Sequence, residues 1–298
     1  MLHEMGRDHP ESPQRLQAVE DQLIASRIAD LLDWRTAPLA PVAAIARVHG
    51  EQAIAMVRDT PIAPGSYRAV DPDTWLNAHS WQAALRAAGA ALAATDAVLA
   101  GDCGNAFCAV RPPGHHARPD TPMGFCLFNN VAIAARHALD HHGLERVAIV
   151  DFDVHHGNGT EESFLDEPRV LMASFYQHPF YPYGDPRPWR AHMLNLPLPA
   201  GSGGEEVRSL VSERWLPALH AHRPQMIFIS AGFDAHREDE LGQMKLVEDD
   251  YAWITQQLMQ VARQHAQGRI VSCLEGGYDL SALGRSVAAH VKALAELD

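Results

Sequence analysis

Asp153 and His155 stand two residues apart just after the apolar run Val147–Val150, and Asp234 follows a second such run, Ile227–Ser230. Side chains two positions apart in an extended chain point the same way, so a strand end would aim Asp153 and His155 together. Asp234 from a second strand end completes a set of one imidazole and two carboxylates. That donor set suits a divalent ion and leaves positions for water and a substrate. Arg111-Pro112-Pro113-Gly114-His115-His116 adds two adjacent imidazoles, after prolines that limit the backbone and a glycine that lets it turn. Adjacent histidines differ in role when their partners differ. A carboxylate favours the charged ring, an amide leaves the proton easier to exchange, and Asp151 and Asn158 offer one of each. In Glu275-Gly276-Gly277-Tyr278-Asp279 the glycines allow close approach to a ligand, and the Tyr278 hydroxyl is a candidate donor to a developing oxyanion. Phe125, beside Gly124, is a candidate wall for an apolar channel. Each motif alone has a plainer reading, as an incidental surface pair, a packed tyrosine or a core phenylalanine. Their recurrence at strand ends is what favours a site.

The elements that must position these groups are legible as an alternation. Apolar, β-branched runs predict strands at Ala106–Val110, Val147–Phe152, Val170–Phe175, Met226–Ala231 and Ile270–Leu274. Helix-length segments lie around and between them: Pro13–Leu32, Trp81–Leu99, Asn130–His141, Gly204–Ala221, Asp249–Gln267 and Ser281–Leu297. This order predicts an α/β fold with a mainly parallel sheet covered on both faces. The predicted loops are Arg111–Phe125, Asp153–Glu162, Gln177–Pro188, Phe233–Glu248 and Glu275–Asp279. They follow strands, where open α/β sheets bind ligands, and they hold nearly every reactive residue.

The chain has 298 residues, 47% of them hydrophobic, and no repeat or compositional break, so a single domain over 1–298 is expected. A net charge of −13 argues against a nucleic-acid binder and is compatible with a cationic substrate. Cys103, Cys108, Cys126 and Cys273 form no metal-finger spacing and read as reduced thiols, which with the lack of a signal-peptide core at residues 1–10 predicts a cytoplasmic protein. The Ala-rich run Ala83–Ala100, broken by Arg86 and Asp96, reads as a packed helix and not a membrane span. A homo-oligomer is left open.

The ordered set RPPGHHA, GFCLFNN, DFDVHHGNGT, SAGFDAH and LEGGYDL, with His9-Pro10-Glu11 and Pro13-Gln14-Arg15 ahead of it, resembles the histone deacetylase superfamily of arginase-fold zinc amidohydrolases over nearly the whole chain. The resemblance implies a three-layer α/β/α fold and a metal-dependent enzyme acting on linear amides. It implies zinc on Asp153, His155 and Asp234, His116 as general base and proton donor, His115 paired with Asp151 as an electrostatic partner, and Tyr278 as carbonyl-polarising residue. It also implies a substrate channel at Gly124, Phe125, Gly276 and Gly277, with His178 as the second wall and Leu241 at the rim. A structural K⁺ or Na⁺ would use Asp151, Asp153, His155, Ser174 and Phe175, and a second ion would use Phe164 and Val170. Asn158 resembles the class II pattern, where class I relatives carry Asp. The chain departs from the family in Glu240, which replaces a common proline, and in starting where relatives carry an earlier first strand. The implied substrate is acetyl-lysine or a related N-acyl amine. The alternatives are an acetylpolyamine amidohydrolase, for which the Asp71–Thr74 segment shows no long insertion to narrow the entrance, a non-catalytic acyl-lysine binding module, and arginase-like hydrolysis at two metals; Asp71 or Asp73 would instead hold a substrate backbone at the rim.

Overall fold

The structure is a computed structural model that describes residues 2–184 and 190–297. Along the chain come α1 (Gln14–Ala25), α2 (Val42–Ile45), α3 (Glu51–Arg58) and a short hairpin, β1 (Arg68–Ala69) with β2 (Trp75–Leu76). Then follow α4 (Ser80–Ala100), β3 (Asn105–Cys108), α5 (Asn130–Asp140), β4 (Val147–Asp151), α6 (Asn158–Phe164), β5 (Val170–Gln177) and β6 (Met193–Leu198). The last part holds α7 (Gly204–Leu210), a π-helical turn at Val211–Trp215, α8 (Leu216–His222), β7 (Ile227–Ala231), α9 (Glu248–His265), β8 (Ile270–Leu274) and α10 (Leu280–Leu294).

Among the described residues, six strands form one parallel sheet in the order β3-β8-β7-β4-β5-β6. From β4 the chain winds outward through β5 and β6, then returns to β7 on the other side of β4. That reversal is a topological switch point, and it sets the carboxyl ends of β4 and β7 side by side. Asp151 is in register with Ser230 on β7 and with Ser174 on β5, so the two loops carrying Asp153 and Asp234 leave the sheet at the same level.

The strands read as unbroken apolar runs because both faces are covered. On β4, Ala148 and Val150 pack into a core completed by Trp215, Tyr251, Ile254 and Leu258, while Val147 and Ile149 pack into the opposite core with Val131, Ala135 and Ala138 of α5. Phe152 and Val154 continue the first face. Asp151, Asp153 and His155 therefore carry the other parity and leave that core. Removing each such Val or Ile from water contributes about 1.5–3 kcal/mol, which anchors the strand ends beneath the reactive loops.

All five predicted strands are present to within two residues. The edge strand β6 was not anticipated, because Pro197 interrupts its apolar pattern; an edge strand tolerates proline, which lacks an N–H for the sheet. The predicted loop Asp153–Glu162 contains the start of α6, a helix of 7 residues whose polar sequence gives no apolar period. Predicted helix 13–32 ends at Ala25, and predicted helix 204–221 is interrupted by the π turn, where buried Trp215 stacks on Phe175.

By length and composition α4 could cross a membrane, but 56% of its apolar window is buried inside the fold. One of its residues explains a close packing. A Cβ at Gly89 would meet the Pro38 carbonyl oxygen and come within 2.8 Å of the Ala40 amide. That amide donates to the Leu85 carbonyl at 2.8 Å, and Arg86 Nη1 donates to the Ala37 carbonyl at 2.7 Å, so the 37–40 segment cannot easily retreat. Gly89→Ala improves helix propensity by about 1 kcal/mol. Overpacking costs about 1–3 kcal/mol, so the net effect should be destabilising. A denaturant midpoint at or above wild type would show that the segment yields freely.

Candidate active site

Two buried carboxylates and one imidazole converge where β4 and β7 end. His155 Nδ1 lies 3.1 Å from Asp153 Oδ1 and 3.2 Å from Asp234 Oδ2, and the donor atoms of the three residues all fall within 4.8 Å of one another. Backbone amides hold the carboxylates in place. Asp153 Oδ1 accepts from the His155 amide at 2.9 Å, Asp153 Oδ2 from the Gly276 amide at 2.9 Å, and Asp234 Oδ1 from the Val154 amide at 2.9 Å. Only glycine fits at two of the flanking positions: a Cβ on Gly232 or Gly276 would run into the Asp153 carboxylate, and one on Gly276 into Asp234 as well.

The electrostatics fit a cation at this point. Among the described residues, neither Asp153 nor Asp234 pairs with a lysine or arginine; their ionic partners are histidines. Burial opposes the His155 charge, yet Asp153 and Asp234 push its imidazole up to about 10. Burial likewise opposes the Asp153 charge, but His115 and His155 hold it well below the usual carboxylate range. Asp234 is raised by burial and by the Asp153 charge. A proton on His155 is thus balancing two carboxylates, a role that a divalent ion on the same donors would take over.

The two adjacent histidines diverge in their partners. His115 Nδ1 donates to Asp151 Oδ2 at 3.0 Å, and His116 Nδ1 donates to Asn158 Oδ1 at 2.7 Å. An amide oxygen can only accept, so this bond places the His116 proton on Nδ1 and leaves Nε2 free. Burial would lower His115, but Asp153 and Asp151 outweigh it and raise the ring well above its ordinary value. His116 is lowered well below its ordinary value by burial, then by the charges of His115 and His155. The rings are 4.0 Å apart between centroids, so the pair is one charged and one neutral imidazole in contact.

Tyr278 is placed by three groups that sequence reasoning missed. Asp239 Oδ2 accepts from the Tyr278 amide at 2.6 Å and the Asp279 amide at 3.0 Å, while Asp239 Oδ1 accepts from the Leu241 amide at 2.9 Å. Arg15 Nε donates to the Gly277 carbonyl at 2.7 Å, and its guanidinium lies over the Tyr278 ring at 4.9 Å. Asp279 caps α10 by accepting from the Ala282 amide at 2.8 Å, which fixes the far end of the turn. Burial raises the Tyr278 hydroxyl well above its ordinary value although Arg15 pulls the other way, so it stays a protonated donor.

A second missed set lies beneath the histidine loop. Glu275 Oε2 accepts from the amides of Gly114 at 2.6 Å and His115 at 3.1 Å, and burial pushes this carboxyl up to about 7. Buried Glu11 binds the Arg111 guanidinium through both carboxylate oxygens and lies 3.4 Å from Arg15 Nη1. It thereby joins the loop that starts at Arg111 to the turn that carries Tyr278. The only signal for these residues in the sequence was their place inside the quoted motifs.

Phe125 lies edge-on to Tyr278 at 5.7 Å and to His9 at 4.6 Å. Its φ of 65° is unusual for a phenylalanine and is held by bonds from its amide to Thr74 Oγ1 at 2.9 Å and from the Gly124 amide to Asp73 Oδ1 at 3.1 Å. The aromatic residues after β5 differ in what they touch. Phe180 stacks on His155 at 5.4 Å and 17°, and Tyr181 meets His116 edge-on at 5.2 Å, whereas the ring contact of His178 is with Tyr176 at 6.3 Å. The chain turns after His178, so residues two and three positions later reach the site. Leu241 is half-buried in the Asp239 loop. Ser174 sits beside Asp151 in register and donates to Asn195 Oδ1 at 2.7 Å, and Phe175 is buried next to it. Phe164 and Val170 are buried together in the α5 face of the sheet, and the Phe164 carbonyl accepts from the Glu167 amide at 3.0 Å and lies 3.2 Å from His192 Nε2.

Comparison with known proteins places this geometry in a family. The histone deacetylase domain matches residues 9–294. A histone deacetylase-like amidohydrolase of Pseudomonas aeruginosa is 38% identical over 91% of this chain and 72% of its own length. A probable deacetylase of Archaeoglobus fulgidus is 38% identical over 94% of this chain and 79% of its own. The crystal structure of the HDA15 HD domain superposes with a TM-score of 0.89 at 33% identity, covering 98% of this chain and 86% of that one. The sheet order, the strand-end loops and these matches agree: the chain belongs to the histone deacetylase family and is a hydrolytic enzyme with its α/β fold.

Proposed function

We propose that this enzyme removes an acetyl or other acyl group from acyl-lysine or a related N-acyl amine, using Zn²⁺ on Asp153, His155 and Asp234. The observation that carries the reading is the division of labour between His115 and His116 beside that donor set. When bound, zinc supplies Lewis-acid activation of water and of the amide carbonyl. His116 Nε2, kept free by the bond from Nδ1 to Asn158, takes the proton from the attacking water and returns it to the leaving nitrogen. His115, held charged by Asp153 and Asp151, contributes positive charge and adds to the burial that keeps His116 neutral in the resting site. The Tyr278 O–H donates to the carbonyl oxygen as it gains charge. Phe125, beside Tyr278, and Phe180 and Tyr181, beside His155 and His116, would serve as walls for the apolar stem of the substrate, with Gly124, Gly276 and Gly277 lining its path and Leu241 at the rim. A K⁺ or Na⁺ on Asp151, Asp153, His155, Ser174 and Phe175 would brace the loop from below, and Phe164 and Val170 supply part of a second such place.

One observation favours an acetylated polyamine as a second substrate. Asp71 and Asp73 lie together near Phe125, where burial and the Asp73 carboxylate push Asp71 up to about 6. A cationic tail would relieve that repulsion. Acetate release from acetyl-lysine peptides, acetylated polyamines and aryl amides by zinc-loaded protein separates these readings. No turnover of any of them at full metal occupancy would sink the enzyme assignment in favour of an acyl-lysine binding module.

Chelation should abolish acetate release and added Zn²⁺ should restore it; activity that survives complete chelation would remove the metal from the reaction. Tyr278→Phe deletes one oxyanion donor, worth about 3 kcal/mol, so kcat should fall roughly 100- to 1,000-fold with zinc content unchanged. Retained turnover would exclude Tyr278 from that role. His116 must be neutral to accept a proton, so kcat/KM is lost as pH falls through its pKa, and burial sets that limb below the ordinary histidine value. Asn158→Asp gives the ring an anionic partner, favours its charged form and should move the acid limb upward by about 1 unit or more. A limb that stays put or moves down in the pH profile of this variant would contradict the pairing of His116 with Asn158.

A further inference from the structure

Three histidines outside the strand-end site gather where α5 ends against α4. His137 and His141 stand four positions apart and share one helical face, and His142 follows directly. The His137 and His141 rings stack at 4.7 Å and 11°, and His142 meets each of them edge-on at 5.0 Å. Each ring offers one nitrogen within 4.8 Å of the others. From α4, Asp96 Oδ1 lies 2.7 Å from both His137 Nε2 and His142 Nε2. Two imidazole nitrogens thus converge on one carboxylate oxygen from a neighbouring helix, with a third imidazole stacked alongside. The chemistry proposed above uses none of these groups. They sit toward the opposite end of α5 from Asn130, about 10 Å (His137) to 16 Å (His141) along the axis at 1.5 Å per residue.

We propose that His137, His141 and His142, with the Asp96 carboxylate beside them, form a second, surface site for a divalent transition-metal ion. Imidazole with carboxylate is a donor set for Zn²⁺, Ni²⁺, Co²⁺ and Cu²⁺ and is too nitrogen-rich for Ca²⁺ or Mg²⁺. The protonation states suit ligation. His137 is lowered by burial and so presents a neutral ring at neutral pH. Burial would raise Asp96, but bonds from His142 and His137 hold it below its ordinary value, so it stays anionic. His141 and His142 are exposed, which gives an ion a direct path in. Coordination would replace the two hydrogen bonds that now meet on Asp96 Oδ1, with the ion drawing α4 and α5 together through the same atoms.

The test is metal uptake by the whole chain, stripped of metal and then dialysed against Zn²⁺ or, separately, Ni²⁺. Wild type should take up about one equivalent more per chain than the His137→Ala/His142→Ala double variant. Because the result is a difference between the two proteins, it stands whether or not the strand-end donors bind. Acetate release, measured in parallel, should be the same in both, which shows that the variant is folded. Asp96→Asn should weaken the extra equivalent about 10- to 100-fold, as loss of a supporting carboxylate does. Ni²⁺ should raise the unfolding temperature of wild type more than that of the double variant. Equal uptake by wild type and double variant overturns the proposal and leaves a hydrogen-bonded surface cluster.

Discussion

Four carboxyl groups, on Asp151, Asp153, Asp234 and Glu275, are buried together at one end of the sheet, and the surrounding structure is organised to tolerate them. A buried, unpaired carboxylate costs several kcal/mol, so each needs partners. The fold provides them mostly from backbone amides: Asp153 takes those of His155 and Gly276, Asp234 that of Val154, Asp151 that of Asp153, and Glu275 those of Gly114 and His115. Every one of these bonds also ties one strand-end loop to itself or to another. The candidate reactive groups are therefore also the cross-braces of the site, and charge and shape cannot be varied independently there.

The same constraint accounts for the split between neighbouring histidines. His115 and His116 share a loop and burial, yet their proton affinities are driven in opposite directions. Two carboxylates, Asp153 and Asp151, outweigh burial at His115, whereas burial and the charges of His115 and His155 act together on His116, whose bond partner is a neutral carboxamide. Once His115 is charged, it further disfavours charge on the ring beside it. The surroundings thus separate one ring held charged from a neighbour held neutral. Tyr278 is governed likewise, since desolvation keeps its proton in place while Asp239 and Arg15 aim the turn that bears it.

Much of this is legible in the sequence, because it is local. The β4 and β7 runs are apolar on both faces, the two-residue spacing of Asp153 and His155 sets their common parity, and reactive side chains cluster after strands. What escaped was either short or distant. The edge strand β6 lacks a clean pattern because of Pro197, and α6 is too brief and polar to show a period. That Phe180 and Tyr181, and not His178, touch His155 and His116 depends on the turn after β5. Asp239 looks like an ordinary acidic residue in a solvated loop, and the motif that holds Glu11 does not name its partner Arg111.

The sequence by itself determined which chemical groups exist and which short stretches present them, since backbone periodicity and residue type act over a few positions. Only the tertiary structure decided which group neutralises which. Glu11 meets Arg111 across 100 residues, and Gly276 meets Asp153 across 123. Those pairings depend on the switch point that sets β4 beside β7 and β8 beyond it. Charge, protonation and aim follow from distances through space, which no local pattern encodes.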